Sequence, residues 1–528
     1  MSRRFIALSL SFLTGLLALS LEMVWIRIVD FMRHGEADSF GFVLFAFLSG
    51  IALGAFLAGQ MARKKDLDVF QVISRLLLIS ALLSYVSIPL VAEAVTLSYT
   101  LGFSLSLLLI ALVAGTFGMI FPLLCHVAIT AGEAEGRTVS QIYMANILGA
   151  TLSPLLTGLY LFDQFSLPQI IAAVASISVL AALFLYINSA CSYRRKLAAA
   201  SVLVLAATLV LQVHTGFYLN IYEKLQFKAR WNEKQSFKYV VENRSGLITV
   251  EAKNYGGDTI YGGGVWDGRF HIDPAFPYNG IDRAYWVAAL HRAPREVLEI
   301  GLASGSWALV LDAYEPIESL DIVEINRGYP EVIRHYPEHS RIFESDKTKL
   351  HFDDGRRWLK RNPDRTFDLI VADISWHERN NITNLLSANF LHILKSHLKP
   401  GGVVYYNTTD SDDVIFTAAQ VFQHIVRYDN FIAVSDTPFD MSQQEVWDNM
   451  QRFVKQPIGA MNDSWIYQRA IWRLANQPLI DIGEDYRGRS GLVKITDDNM
   501  ATEYRRARLT GGVTWFSFLE KVWRSGWL

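Results

Sequence analysis

The chain is poor in cysteine and carries no excess of charge of either sign. Its only cysteines among 528 residues are Cys125 and Cys191, both at the ends of apolar segments, so a disulfide scaffold and a cysteine-based zinc site in the polar half are excluded. A net charge of −2 and a pI near 6.6 give no basic field, and nucleic acid is not expected as a partner. The chain has no Gly-Lys-Ser/Thr phosphate loop, so phosphoryl transfer is disfavoured, and no metal site is predicted.

Charge is also unevenly distributed along the chain. Residues 1–214 hold 22 of the 100 Asp, Glu, Lys and Arg residues, whereas residues 215–528 hold the other 78. The whole chain is 51% hydrophobic with a mean hydropathy of +0.21, which is too apolar for an ordinary soluble protein. The sequence therefore predicts an apolar membrane half followed by a polar half.

Residues 1–214 are predicted to form a multi-pass transmembrane helical domain, with the lipid bilayer as partner. Seven stretches have the roughly 20 apolar residues that a membrane span needs, near 5–27, 40–60, 70–91, 102–125, 140–162, 167–188 and 197–214. Gly50, Gly54 and Ala58 recur at a spacing of four within the second stretch, which favours close helix packing.

Basic residues in the connections predict the orientation in a cell (inner) membrane. They concentrate at the amino terminus and in every second connection, at Arg3 and Arg4, Arg63 to Lys65, Arg137, and Arg194 to Lys196. This pattern predicts a cytoplasmic amino terminus. Seven spans would then place the polar half outside the cytoplasm, and a change of one span would reverse that.

The polar half is predicted to contain two domains, a small β-domain and a Rossmann-like α/β domain. Residues 215–283 show short β-rich runs separated by Gly and Asn, which are typical of a small domain of antiparallel β-hairpins. From residue 284 to 528, buried strands alternate with helices, which predicts a doubly wound, mostly parallel, Rossmann-like sheet. The predicted strands are 296–300, 319–325, 349–352, 367–373 and 403–407.

Ligands of such sheets bind at the carboxyl ends of the strands, and these ends carry small or acidic residues. The first strand ends in the small-residue turn Gly301 to Ser306, the second in Glu324, and the fourth in Asp373. Asp354 follows the third strand and starts a helix. An acidic residue about 20 positions after a glycine turn can accept both ribose hydroxyl hydrogen bonds, so the pattern favours a nucleoside site.

Each of these residues also has a purely structural interpretation. The turn could be a packing turn, Glu324 a surface carboxylate, Asp354 a helix cap, and Asp373 a strand terminus. Capping by Asp354 would not exclude its contact with an adenine edge.

Five motifs together resemble the spermidine synthase family, a branch of the class I methyltransferase-like fold. They are Gly301 to Ser306, Val323-Glu324-Ile325, Asp354-Gly355-Arg356, Asp368 to Asp373, and Leu398-Lys399-Pro400-Gly401-Gly402. The whole chain resembles bacterial membrane proteins in which several spans are fused to such a domain, and three further motifs fit them: Leu21 to Trp25, Tyr143 to Gly149, and Thr496 to Asn499.

The resemblance implies decarboxylated S-adenosylmethionine, or S-adenosylmethionine, as the substrate that donates a group to a small-molecule amine or other acceptor. Asp373 would be the base that deprotonates the amine. The resemblance implies that the adenosyl ligand is held by Gly301, Ala303, Ser304, Gly305, Glu324, Asp354 and Gly355. It implies acceptor contacts from His271, Tyr285 and Trp376.

The chain departs from the family on the amine-binding side. Ser304 stands where the family has an aspartate that contacts the aminopropyl amine, and Trp376-His377 replace the second Asp of an Asp-Ser-x-Asp-Pro run. Tyr285-Trp286-Val287 stands in place of Tyr-His-Glu, and His271 in place of a glutamine. A buried diamine needs carboxylates at both ends. Because these acidic residues are missing, most of the family's amine-binding residues are absent, and binding of a diamine is expected to be weak.

Three functions are consistent with this sequence. The first is a membrane-anchored transferase, with aminopropyl transfer as the family default. The second is S-adenosylmethionine-dependent methyl transfer to an unknown acceptor, and Ser304 is expected to relax the preference for the decarboxylated donor. The third is a transporter or sensor whose polar half binds a ligand without turnover. The sequence leaves the oligomeric state open, a homo-oligomer included.

Overall fold

The computed structural model describes residues 3–63, 68–129, 135–188, 216–373, 379–408, 410–453, 465–500 and 503. It divides into two compact units. The first consists of Met1–Arg33, Ser39–Ser236 and Glu242–Arg244. The second consists of His34–Asp38, Phe237–Val241 and Ser245–Leu528.

Long apolar helices make up most of the first unit. They are Arg3–Met32, Ser39–Met61, Val69–Leu97, Tyr99–Ala128, Glu135–Leu156 and Leu167–Ile187, and the fifth continues through a π-helical turn at Thr157–Leu161 into Phe162–Gln164. Within the described residues, these six helices are long and apolar enough to cross a membrane. The predicted seventh span, 197–214, lies outside the described residues. Two short helices, Ile221–Phe227 and the 3-10 turn Lys228–Arg230, follow.

Glycine allows the second and fourth of these helices to approach closely. A Cβ atom on Gly50 would lie 2.2 Å from the Ala111 carbonyl oxygen, and one on Gly54 would lie 2.1 Å from that of Gly115. Any larger residue would push the two backbones apart, as expected for small residues at a membrane-helix interface. The packing role inferred from the spacing of these glycines is therefore observed.

The second unit contains a small four-stranded sheet. Its strands are β1 (Phe237–Asn243), β2 (Gly246–Glu251), β3 (Thr259–Gly262) and β4 (Val265–Arg269), in the order β1-β2-β3-β4. The β2–β3 and β3–β4 pairs are antiparallel, as the short β-rich runs predicted.

A seven-stranded sheet forms the centre of the second unit, with the order β10-β11-β9-β8-β5-β6-β7. Its strands are β5 (Glu296–Ile300), β6 (Ser319–Glu324), β7 (Thr348–Phe352), β8 (Phe367–Ala372), β9 (Leu398–Asn407), β10 (His424–Tyr428) and β11 (Phe431–Ser435). β5 to β9 pair in parallel, and β11 runs antiparallel to both of its neighbours. The predicted fold, a Rossmann-like sheet with a small antiparallel sheet before it, is confirmed.

The helices of this unit are short. The α-helices are Asp282–Tyr285, Ser306–Ala313, Gly328–Ile333, Pro337–Ser340, Gly355–Arg361, Thr383–Leu386, Ala388–Ser396, Asp412–Ala419, Gln443–Met450, Trp465–Ala475 and Gly483–Arg487. The 3-10 turns are Trp286–Ala289 and Arg341–Glu344.

The alternation of side chains along the parallel strands separates the core into two layers. On β5, Val297 packs in one layer, whereas Leu298 and Ile300 pack in the other. The layer that contains Val297 also contains Ile322, Val371 and Tyr405 of the neighbouring strands. The residues two positions further along, at the carboxyl ends of these strands, therefore face the same side of the sheet. They are Glu299, Glu324, Asp373 and Asn407.

Gly355 is required by packing at the start of its helix. A Cβ atom at this position would lie 2.7 Å from Cγ2 of Ile300, a buried residue of β5. We expect Gly355→Ala to cost about 1–3 kcal/mol through overpacking. In a chain of 528 residues that corresponds to a melting temperature lower by roughly 1–3 °C.

Thermal unfolding of the full chain in detergent measures this effect. Gly488→Ala is the matched control, because a Cβ atom there meets nothing closer than 3.9 Å. Equal melting temperatures for the two variants would contradict the packing role of Gly355.

Candidate adenosyl-ligand site

The loop after β5 has an unusual backbone that brings it close to the end of β8. Gly301, Ala303 and Gly305 all have positive φ angles, of +94°, +46° and +74°. Glycine adopts this conformation without a steric cost, whereas alanine rarely does. A Cβ atom on Gly301 would lie 3.4 Å from the Asp373 carbonyl oxygen, so little space separates the loop from that strand end.

Ser304 is buried and takes part in a chain of hydroxyl hydrogen bonds. Its Oγ donates to Oγ of Ser306 over 2.9 Å, and Ser306 donates to the Arg269 carbonyl over 2.8 Å. Ser306 also lies 3.2 Å from Nε2 of His339. Burial lowers the pKa of His339 to about 4, so the imidazole is neutral at pH 7. Ser304 therefore supports the shape of the loop and contributes no charge.

Glu324, at the end of β6, fixes the same loop. It is buried, and its Oε2 accepts from the Leu302 amide over 2.8 Å while Oε1 accepts from the Asn326 amide over 2.7 Å. Each carboxylate oxygen retains a second lone pair that a ribose hydroxyl could use. Burial raises the pKa of Glu324 to about 7, and the negative charge of Asp267 contributes to the rise. The interpretation of Glu324 as a surface carboxylate is wrong.

Asp373 directly follows β8 and is partly buried. Burial raises its pKa to about 6, whereas the positive charge of Arg283 and a hydrogen bond from the Asn407 side chain lower it. Asn407 ends β9, the next parallel strand, and lies two residues after Tyr405 on the same side of the sheet. A carboxylate with this pKa is mostly ionised at pH 7 and can accept a proton.

Two further carboxyl groups, Glu299 and Asp267, belong to the same cluster and were not identified from the sequence. Glu299 lies on β5, is 1% exposed, and its Oε2 has no hydrogen-bond partner among the described residues. Burial and the negative charges of Asp373 and Glu324 raise the pKa of Glu299 well above its usual value. The sequence did contain a signal for Glu299, because a glutamate inside a buried strand is rare unless it has a partner.

Asp267 lies in the middle of β4, the last strand of the small sheet, and is surrounded by mixed charges. It accepts a hydrogen bond from the Tyr329 hydroxyl, and the Arg379 guanidinium lies 3.9 Å away. Burial raises the pKa of Asp267, while Arg379 opposes the rise. Asp267 raises the pKa values of Glu324 and Asp373, and these two in turn raise that of Glu299, so the four residues form an acidic cluster. We call these four residues the acidic cluster.

A cation is the ligand that such a cluster favours. Neighbouring carboxylates that desolvate and repel one another are stabilised in the ionised form by a positive charge between them. A sulfonium or an ammonium would supply that charge. Among the described residues, no group of three or more His, Cys, Asp or Glu side chains is arranged to hold a metal ion.

Asp354 and Gly355 start a helix next to these strand ends. The Asp354 carboxylate caps the helix by accepting from the Arg357 amide over 2.8 Å, so the capping interpretation is correct. Arg356 donates to both carboxylate oxygens of Asp497, and Asp497 also accepts from Ser387. These contacts anchor the segment that contains Asp497 to the helix. The contact of Asp354 with adenine stays a prediction.

The three predicted acceptor contacts have different surroundings. Tyr285 is buried, and its hydroxyl donates to the Ile272 carbonyl over 3.1 Å. His271 lies with Nε2 2.8 Å from the Phe276 carbonyl oxygen. Trp376 lies outside the described residues. The roles assigned to these residues stay predictions.

The fold and the site define a Rossmann-like α/β domain whose acidic residues gather at the carboxyl ends of its parallel strands. Residues 284–435 match the family model described as the spermine/spermidine synthase domain. This match confirms the family resemblance inferred from the motifs.

Curated relatives carry names from the same family. Polyamine aminopropyltransferase 2 of Hyperthermus butylicus is 31% identical over 178 residues, which are 30% of this chain and 58% of that protein. A spermidine synthase of Coffea arabica is 28% identical over 144 residues, 26% of this chain and 45% of that protein. The chain thus spans about half the length of these relatives.

Two solved structures are similar in part. A spermidine synthase in complex with the transition-state analogue AdoDATO has a TM-score of 0.37 at 15% identity, covering 46% of this chain and 85% of that one. Human methyltransferase-like protein 13 in complex with SAH has a TM-score of 0.28 at 21% identity, and the match covers 35% of this chain and 95% of that one.

Proposed function

We propose that this chain is a membrane-anchored aminopropyltransferase that uses decarboxylated S-adenosylmethionine. The observation that carries the proposal is the acidic cluster beside the loop 301–306. Its carboxyl groups suit a donor with two positive charges, the sulfonium and the aminopropyl ammonium. The match of residues 284–435 to the spermine/spermidine synthase domain supports the same reaction class.

Asp373 is the proposed general base of this reaction. An ammonium has no lone pair, so Asp373 first accepts a proton from the acceptor amine. The amine nitrogen then forms a bond to the carbon next to the sulfonium, and the bond between that carbon and sulfur breaks. Its electron pair stays on sulfur, which leaves as a neutral thioether. Because the sulfonium makes transfer favourable, the protein mainly aligns the two reactants.

Glu299 is the proposed partner of the donor's aminopropyl ammonium, in place of the aspartate that Ser304 replaces. Its buried Oε2 has no partner among the described residues, and a ligand ammonium would provide one. Intact S-adenosylmethionine carries an additional carboxylate, which the acidic cluster would repel. The cluster therefore favours aminopropyl transfer over methyl transfer.

Glu299→Gln is expected to weaken binding of decarboxylated S-adenosylmethionine by about tenfold or more. This estimate corresponds to the loss of one charge-assisted hydrogen bond of about 1.5–3 kcal/mol. Affinity for the thioether by-product 5′-methylthioadenosine, which has no ammonium, should be unchanged. Isothermal titration of the full chain in detergent measures both affinities.

Glu296→Gln is the matched control, because Glu296 lies on the same strand but is exposed and pairs with Lys399. The wild-type chain should bind the decarboxylated donor at least about tenfold more tightly than intact S-adenosylmethionine. Equal weakening of the donor and the thioether by Glu299→Gln would contradict the role of Glu299. A preference for the intact donor would favour methyl transfer.

A second candidate, a sensor without turnover, is favoured by the distribution of basic residues along the sequence. With seven spans, the polar half would lie on the side opposite the amino terminus. The basic residues predict a cytoplasmic amino terminus, and no adenosyl donor is expected on the other side.

Reporter fusions at the two ends of the chain separate these candidates. The proposed transferase places both reporters in the cytoplasm, as an even number of spans requires when the amino terminus is cytoplasmic. An external carboxyl-terminal reporter would support the sensor.

A further inference from the structure

Arg283 is a largely buried cation close to the proposed base. Its side chain is 12% exposed, and its guanidinium carbon lies 5.1 Å from the centre of the Phe431 ring. Nε donates to the Gly280 carbonyl over 2.9 Å, and Nη1 donates to the Asn430 side chain. These contacts hold the guanidinium in one place.

A chain of amide side chains connects Arg283 to Asp373. The Asn430 amide donates to Oδ1 of Asn407 over 2.9 Å, and Asn407 in turn hydrogen-bonds Asp373. The guanidinium is also close enough for its charge to act on the Asp373 carboxyl. The acceptor nitrogen must lie within about 3 Å of that carboxyl to lose its proton. An acceptor amine at that carboxyl would therefore lie within the field of a positive charge.

The charge of Arg283 is only weakly neutralised by its acidic neighbour. Asp429 lies 3.9 Å away, at the limit of an ion pair, and its side chain is 68% exposed. Water screens such a contact strongly. The acceptor side thus carries a guanidinium together with Asp373, while Glu299 and Glu324 belong to the proposed donor side.

This arrangement disfavours a diamine acceptor. Its second ammonium would meet a guanidinium, and like charges at an interface discriminate strongly against a ligand. A carboxylate at the same place would instead form charge-assisted hydrogen bonds, for which the planar fork of arginine is well suited. The sequence also lacks the acidic residues with which the family binds the amine. Their absence likewise makes the acceptor side less negative.

We propose that the acceptor is an amine that also carries a carboxylate, and that Arg283 binds this carboxylate. The proposal rests on the proposed aminopropyl transfer and specifies its acceptor. The reaction itself is unchanged: the amine nitrogen bonds to the aminopropyl carbon, the carbon–sulfur bond breaks, and Asp373 receives the proton.

Three acceptors that differ at one end test the proposal. They are 4-aminobutyrate, 1,4-diaminobutane and butylamine, whose far ends are negative, positive and neutral. The full chain in detergent is supplied with decarboxylated S-adenosylmethionine, and thioether release gives kcat/KM for each acceptor. We expect the wild-type chain to prefer 4-aminobutyrate over 1,4-diaminobutane by at least about tenfold.

Arg283→Gln should lower kcat/KM for 4-aminobutyrate by at least about tenfold and change that for butylamine little. Arg283→Lys, which keeps the charge, should restore part of the preference. Arg292→Gln is the matched control, because Arg292 is exposed in the same unit. Melting temperatures show whether each variant is folded.

A purely structural role for Arg283 would give a different pattern. Equal losses for all three acceptors in Arg283→Gln, or a wild-type preference for 1,4-diaminobutane, would overturn the acceptor class while leaving aminopropyl transfer intact. Absence of thioether release with all three acceptors would overturn the proposed function, and the acceptor class with it.

Discussion

Asp373→Asn is expected to lower the rate of transfer by about 10²–10⁴-fold, the usual contribution of a general base. Asparagine keeps the size of the side chain and can still contact the Asn407 side chain, which hydrogen-bonds Asp373 in the structure. It cannot accept the proton of the acceptor amine. Donor affinity, measured by titration, should fall far less than the rate, because the other three members of the acidic cluster remain.

The pH dependence of the wild-type chain provides a second measure of the same group. Burial raises the pKa of Asp373 to about 6, and only the ionised form can act as a base. The rate should therefore rise with pH through about 6 and level off above it. This inflection should be absent from the residual activity of Asp373→Asn.

Asp364→Asn is a suitable control, since Asp364 is exposed in the loop before β8. It should retain the wild-type rate and pH profile. Turnover by Asp373→Asn within about threefold of the wild-type rate would exclude the carboxyl group as the base.

Glu324→Gln is expected to weaken binding of both the donor and its thioether product by about 10–100-fold. In the wild-type chain both carboxylate oxygens accept backbone amides, from Leu302 and Asn326. Glutamine has a single accepting oxygen, so its NH₂ group would face an amide donor. Leaving a buried donor unsatisfied costs about 1–3 kcal/mol. The loop 301–306 should shift in consequence, and the proposed ribose contacts should be lost with it.

Titration with 5′-methylthioadenosine distinguishes this effect from that of Glu299→Gln. Both ligands share the ribose, so Glu324→Gln should weaken both, whereas Glu299→Gln should weaken only the ligand with an ammonium. Glu338→Gln, at an exposed position, serves as the control. Unchanged affinity of Glu324→Gln for the thioether would remove Glu324 from the ligand site.

Local patterns were sufficient to predict four of the five parallel strands to within one residue, whereas β9 begins at Leu398, five residues before its predicted start. The run Glu296 to Ile300 is apolar, bounded by turn-forming residues, and forms β5 with the predicted limits. The strands that end in Glu324 and Asp373 were placed to within one residue for the same reason. These signals are local because a buried strand must be apolar on both faces.

The remainder of the site depends on contacts between distant residues. Glu299 was visible as a glutamate in a buried strand, but its nearness to Asp373 depends on the order of β5 and β8 in the sheet. Arg283 approaches Asp373 through Asn407 and Asn430, which lie more than 100 residues further along the chain. No periodicity in the sequence encodes such a chain of side chains.

The alanine within the glycine-rich turn has a consequence for ligand affinity. Ala303 holds a left-handed backbone conformation that costs a non-glycine residue roughly 1–2 kcal/mol. A conformation that alanine disfavours persists only because its surroundings hold it, here through the Leu302 amide that donates to Glu324. These contacts fix the loop before an adenosyl ligand arrives, so less of the binding free energy is consumed in ordering it.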